Sequence, residues 1–225
     1  MDLLALSKVQ GDSSQGTVPL DVRFLGPLDY EKAWQFQREL VQKRKEGVVE
    51  DTLLLLEHPP VYTRGISSKT PKPPFLPHPA YLIERGGDWT YHGPGQLVGY
   101  PILDLSERGL KVRDYLRLLE EILIESLENF GLKGETVKGL TGVWCQNKKV
   151  ASIGIAVKQG ISYHGFSLNV SCDLKAFSAI YPCKLEPETL SNIWNLAREP
   201  LSMEQVRKTV AKVFLKKMQS LSFAP

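Results

Sequence analysis

Three strand-like segments follow one another between Gly142 and Val170, separated only by Gln146-Asn147-Lys148 and Lys158-Gln159-Gly160. Gly142 to Cys145, Lys149 to Val157 and Ile161 to Val170 are rich in β-branched and aromatic residues. Connections this short leave no room for a crossover helix, so neighbouring segments must fold back on one another as an antiparallel meander. The other segments have to be arranged around that sheet.

Leu20 to Leu25 reads as a short strand, and Asp29 is placed to cap a helix running to about Lys45, with Gly47 as its stop. Tyr30, Ala33, Trp34, Gln37, Leu40 and Val41 recur there at helical spacing, and Trp34 reads as core packing. Thr52 to Glu57 is a continuous apolar strand that delivers Glu57 to Gly65 into a loop, and the five prolines between Ser67 and Pro79 favour an extended surface segment. Asp114 opens a helix striped by Leu116, Leu119, Leu123, Leu127 and Phe130 and closed by Gly131. A helical turn is expected from Leu174 to Ile180. A last helix begins near Ser202, with Gln205 completing a capping box and Val206, Val210, Val213 and Phe214 facing inward. Strands and helices without strict alternation indicate an α+β fold with a largely antiparallel mixed sheet flanked by helices. Residues 1–19 are expected to form a mobile N-terminal segment and residues 20–225 a single domain.

Composition excludes several classes. A net charge of +3 is too small to argue for nucleic acid, and the clusters at Lys43-Arg44-Lys45 and Arg207 to Lys217 read as solvated helix faces. No apolar run approaches the ~18 residues of a membrane span, and no basic start leads into an apolar export signal, so a cytoplasmic protein is expected. Cys145, Cys172 and Cys183 are an odd number without CxxC spacing, which suits neither a disulfide framework nor a zinc site.

The costliest stretch is Arg85-Gly86-Gly87-Asp88-Trp89-Thr90-Tyr91-His92-Gly93-Pro94-Gly95-Gln96, with four glycines in twelve residues. An apolar strand from Leu97 follows it, so its backbone N–H groups and Arg85 would lie at a sheet edge, suited to a carboxyl, carbonyl or phosphate-bearing ligand. It is neither a P-loop nor a dinucleotide fingerprint, because no Lys-Ser or Lys-Thr follows and the glycine spacing differs.

Cys183 is presented after a helical turn, whereas Cys145 and Cys172 lie in strand-like runs as small core residues. A thiol ionising near ~8.5 needs a base or cation beside it to become a nucleophile. His92, His164 and Lys149 are the candidates. Lys149 opens an apolar strand and is either a partly desolvated base or a solvated strand end.

Glu57-His58-Pro59-Pro60-Val61-Tyr62-Thr63, Arg85-Gly86-Gly87 with Thr90-Tyr91-His92-Gly93-Pro94-Gly95-Gln96, Lys149-Val150-Ala151-Ser152-Ile153-Gly154, His164-Gly165-Phe166-Ser167-Leu168-Asn169-Val170 and Pro182-Cys183 together resemble the lipoyl(octanoyl) transferase family. The resemblance runs in order over about Leu20 to Cys183. It implies the biotin/lipoate protein ligase fold and transfer of an octanoyl group from acyl carrier protein to a lysine of lipoyl domains, those of 2-oxoacid dehydrogenases and the glycine cleavage H protein. By the same resemblance Cys183 is the acyl-thioester nucleophile and Lys149 the residue that lowers its pKa. Arg85, Gly86, Gly87, Asp88, Trp89, Thr90, Tyr91, His92, Ser152, Ile153, Gly154, Gly165, Phe166 and Ser167 line the acyl-substrate site. No cofactor or metal is implied, and a monomer is expected. Trp89 stands where a smaller aliphatic is usual and Lys184 where glycine is common, changes that would reshape the acyl pocket and add a cation near the thiol. Three rival readings are an ATP-dependent lipoate or biotin ligase, a non-catalytic module binding carrier proteins, and an enzyme that shuttles octanoyl between two lipoyl domains.

Overall fold

The computed structural model of the chain describes residues 7–10, 18–180 and 189–221. Its main sheet has eight strands. They are β1 (Ser7–Gln10), β2 (Leu20–Phe24), β3 (Asp51–Leu56), β7 (Gln96–Ile102), β8 (Gly134–Val137), β9 (Leu140–Cys145), β10 (Lys148–Lys158) and β11 (Ile161–Asn169). Their spatial order is β1-β2-β3-β7-β11-β10-β9-β8, and among these pairings only β2 and β3 run parallel. A second sheet of three strands, β5 (Ala80–Ile83), β4 (Val61–Gly65) and β6 (Trp89–His92), has β4 at its centre.

The expected meander is present as β9, β10 and β11. Gln146 and Asn147 both take positive φ, 51° and 62°, which closes the β9–β10 hairpin in two residues. The apolar run of β3 is explained by burial on both faces. Leu53 and Leu55 join one core with α2 (Val112–Glu128) and α4 (Met203–Ser220), while Leu54 and Leu56 join another with α1 (Tyr30–Lys45). Asp29 caps α1 through the N–H groups of Glu31 and Lys32, and the Ser202–Gln205 capping box opens α4. Val206, Val210, Val213 and Phe214 are all buried, and Leu174–Ala179 forms a 3-10 turn.

Several elements differ from expectation. Val61–Gly65, read as loop behind Pro59-Pro60, is the strand β4. Ser7–Gln10, in the segment expected to be mobile, pairs with β2. The buried stripe of α2 is rotated toward Tyr115, Leu118, Leu119, Ile122 and Leu123, leaving Leu116 half-exposed at a cleft. Trp34 is half-buried at the side of α1, and its indole N–H donates to Glu84 at 3.0 Å. The strands β5 and β8 and the short helix α3 (Ile193–Leu196) had no counterpart in the sequence reading.

At one end of the sheet a buried ion cluster ties α1 to the core. Asp51, fully buried, accepts from Arg44 Nε at 2.7 Å, from Arg108 Nε and from the Asp104 N–H at 2.9 Å. Arg44 also pairs with Glu107.

Candidate active site

The glycine-rich stretch lies where the two sheets meet. Its first part is a tight loop and its second part is β6. The Arg85 guanidinium folds back on its own surroundings, donating to Thr63 O at 2.9 Å, Thr63 Oγ1 at 3.0 Å, Asp88 O at 2.8 Å and Gly86 O at 2.9 Å. These contacts clamp the loop. The Gly86 N–H donates to Ile155 O of β10 at 2.9 Å, which fastens the loop to the main sheet. Gly65 is required beneath it, because a Cβ there would lie 2.2 Å from Gly87 O. Asp88 accepts from Ser68 Oγ, Thr70 Oγ1 and the Trp89 N–H, contacts that hold its carboxyl below the usual range against the opposing cost of burial.

Two adjoining spaces lie beside this loop. An inner cavity of about 40 Å³ is bounded by Arg85, Gly87, Thr90, His92, Ser152, Ile153, Gly154, Gly165, Phe166 and Ser167, with Tyr30, Val98, Tyr100 and His164. An outer cleft of about 670 Å³ has Gly86, Gly87, Asp88, Lys149, Ile153 and Gly154 in its wall. Gly87, Ile153 and Gly154 border both. Gly154 stands opposite Gly165 in the β10–β11 register, so no side chain projects from that pair. Thirteen of the sixteen site residues inferred from sequence border these two spaces, and the other three are Trp89, Tyr91 and Cys183.

Side chains alternate in direction along β6. Thr90 and His92 face the inner cavity, whereas Trp89 and Tyr91 point to the other side and pack with Tyr62, Phe177, Ile180 and Leu190. Trp89 Nε1 donates to Pro71 O at 3.2 Å. The departure at Trp89 therefore falls outside the inner cavity. Cys183 and Lys184 lie outside the described residues. Cys145 and Cys172 are buried, and burial pushes the Cys172 thiol up to about 12, so neither is a ready nucleophile.

Lys149 is buried, 3% exposed, which removes the solvated-end alternative. Its backbone carbonyl accepts from the Ser191 N–H at 3.0 Å, and its ammonium lies 5.0 Å from the centre of the Trp144 ring. Gly142, at φ 130°, leaves space for the lysine arm, since a Cβ there would be 2.8 Å from Lys149 Cε.

The inner histidines have hydrogen-bond partners that set their tautomers. Gln96 Nε2 donates to Tyr91 O at 3.2 Å and Asn169 Oδ1 at 2.9 Å, which turns Gln96 Oε1 toward His92 Nδ1 at 2.7 Å. His92 therefore carries its proton on Nδ1 and has a bare Nε2. Burial, with His58 nearby, pushes His92 down to about 3. His164 takes a positive φ of 55° within β11 and donates from Nε2 toward Glu84 at 3.4 Å, and burial lowers its pKa. Tyr30, Tyr100 and Val98 were missed from sequence. The first residue after a helix cap and the strand following a glycine-rich loop were the available signals. Among the described residues, no group of three or more His, Cys, Asp or Glu side chains is placed to hold a metal ion.

A mixed sheet with helices on its faces is the fold of the lipoate-protein and biotin protein ligases of known structure. Lipoate-protein ligase A bound with ATP superposes with a TM-score of 0.71 at 16% identity, covering 91% of this chain and 86% of that one. Biotin protein ligase from Aquifex aeolicus gives 0.55 at 15%, covering 89% and 71%. The chain belongs to the lipoyl protein ligase A/B catalytic domain family, whose profile matches residues 29–215. It is 47% identical to an octanoyltransferase of Synechococcus elongatus over 84% of this chain and 83% of the relative. The octanoyltransferase of Syntrophotalea carbinolica is 43% identical over 87% and 92%.

Proposed function

We propose that this protein is an octanoyltransferase of protein lipoylation, taking the acyl group from octanoyl-acyl carrier protein and delivering it to a lysine of lipoyl domains, with Cys183 as the carrier nucleophile. The observation that carries the reading is Lys149, buried in the wall of a cleft whose other wall is the glycine-rich loop. Relatives named octanoyltransferase at 43–47% identity support the choice of acyl group.

In this mechanism Lys149 accepts the Cys183 proton. The thiolate attacks the octanoyl thioester carbonyl, the C–S bond to phosphopantetheine breaks, and Lys149 returns the proton to the departing thiolate. The lipoyl-domain amine then attacks the acyl-enzyme, its proton passes to Lys149, and Cys183 leaves as thiolate. Backbone N–H groups of the glycine-rich walls stabilise the oxyanion in both steps. A thioester donor is already activated, so amide formation needs no ATP. The acceptors are the lipoyl domains of 2-oxoacid dehydrogenases and the glycine cleavage H protein, and the enzyme acts as a cytoplasmic monomer. Among the described residues no helix is long and apolar enough to cross a membrane.

The test is intact-protein mass after incubation with octanoyl-acyl carrier protein, for wild type and Cys183→Ala, followed by addition of an apo lipoyl domain. One octanoyl adduct that requires Cys183 and moves to the lipoyl domain without ATP is expected. No adduct on wild type, with lipoyl-domain modification only when ATP is added, would replace this reading by a ligase.

A further inference from the structure

Lys149 and Trp144 occupy directly opposed positions on β10 and β9. Trp144 is 3% exposed, as is Lys149, and the ammonium nitrogen sits 5.0 Å from the ring centre. That is within the ~6 Å range over which an aromatic quadrupole attracts a cation, an attraction that grows as the pair is desolvated. The contact is built into the strands. Gly142, one turn of the pleat from Trp144, has the φ of 130° and the missing Cβ that let the lysine arm pass. The Gly142 N–H is in turn anchored at 3.0 Å by Glu120 Oε1 of α2, a carboxylate itself 1% exposed. The β9–β10 register shifts between Lys149 and Ala151, so the strand is bent at this point.

We propose that Trp144 is a positioning residue for the proposed acyl transfer, its ring face holding the Lys149 ammonium in the cleft wall and offsetting part of the cost of burying that charge. The proposal rests on the reading of Lys149 as the proton carrier. An aliphatic side chain of similar bulk would fill the space without favouring the ammonium, and Lys149 would give up its proton more easily. Other charged groups near this pocket are Glu120 on α2, Glu135 opposite Trp144 on β8, Lys148 beside Lys149, and Lys69 and Asp88 across the cleft. Glu120 also pairs with Arg117, and Asp88 accepts from Ser68, Thr70 and the Trp89 N–H.

The experiment titrates Lys149 itself, by mass-spectrometric competitive acetylation from pH 6 to pH 11, in wild type, Trp144→Phe and Trp144→Leu. Melting curves for all three establish folding. Trp144→Leu is expected to lower the midpoint of Lys149 ionisation by about one pH unit, the scale of a desolvated cation–π contact. Trp144→Phe is expected to restore most of it, since a ring face is retained. An unchanged midpoint in a folded Trp144→Leu protein overturns the proposal, as does a Phe variant indistinguishable from Leu. Octanoyl transfer measured over the same pH range separates the two claims. A shifted Lys149 midpoint with an unshifted rate profile leaves Trp144 holding the charge and removes Lys149 from the reaction.

Discussion

The Tyr100 hydroxyl donates to Nε2 of His58 at 2.7 Å, while Nδ1 of the same ring donates to Leu28 O at 2.6 Å. Both ring nitrogens are committed, and burial pushes His58 down to about 4. His58 therefore stays neutral in the folded protein through the range where an unfolded histidine, near ~6.5, takes up a proton.

The sign of the pH effect follows. Below about 6.5 the unfolded chain binds more protons than the folded one at His58 and His92, so stability falls on acidification, and the loss is complete once pH passes the folded values of about 4 and about 3. Between pH 7 and pH 5 the two together should cost on the order of 2–4 kcal/mol. Urea midpoints at the two pH values read this directly, and equal midpoints would show that these rings protonate freely in the native state.

Gly165→Ala should destabilise by about 1–3 kcal/mol. A Cβ at this position would lie 2.2 Å from Gly99 O and 2.5 Å from Pro101 Cδ, contacts that force the β7–β11 pairing apart. Gly86→Ala is the control, since its nearest neighbour would be Ile155 O at 3.9 Å. Thermal melts showing the two variants equally stable would contradict this packing.

Arg85→Lys should slow octanoyl transfer by at least about tenfold, because an ammonium cannot span Thr63, Gly86 and Asp88 as the guanidinium does. The readout is kcat/KM with octanoyl-acyl carrier protein, together with a melting curve. Wild-type kinetics in a folded variant would show that the clamp is dispensable.

Asp51→Ala leaves Arg44 and Arg108 without their shared buried carboxylate. A loss of about 3–5 kcal/mol is expected, read from denaturant midpoints. A loss below about 1 kcal/mol would mean that water replaces the carboxylate at little cost.

The sequence disclosed most where local chemistry decides structure. The Gln146-Asn147 turn, the Asp29 cap and the Ser202–Gln205 box each work within a few residues, and each is found where it was read. What stayed hidden depends on distant partners. β4 earns its strand character from pairing with β5 and β6, which lie beyond a proline-rich segment. The contacts of Arg85 with Thr63 O and Oγ1 were hidden because Thr63 lies on β4, 22 residues earlier in the chain. Trp89 and Tyr91 shared a motif with Thr90 and His92, and only the pleat of β6 separates their directions. Burial of Lys149 agrees with its reading as a desolvated residue, whereas the packing of Trp144 against it had no signature in spacing.

Lys149 and Gly154 belong to the same extended strand, five residues apart. At about 3.3 Å per residue that interval is at most about 17 Å, shortened where the strand bends between Lys149 and Ala151, and backbone geometry sets it. Inserting or deleting one residue would not stretch the interval smoothly; it would turn every following side chain of β10 to the opposite face. Evolution can thus tune the walls of the cleft by substitution, but its length changes only in indivisible steps.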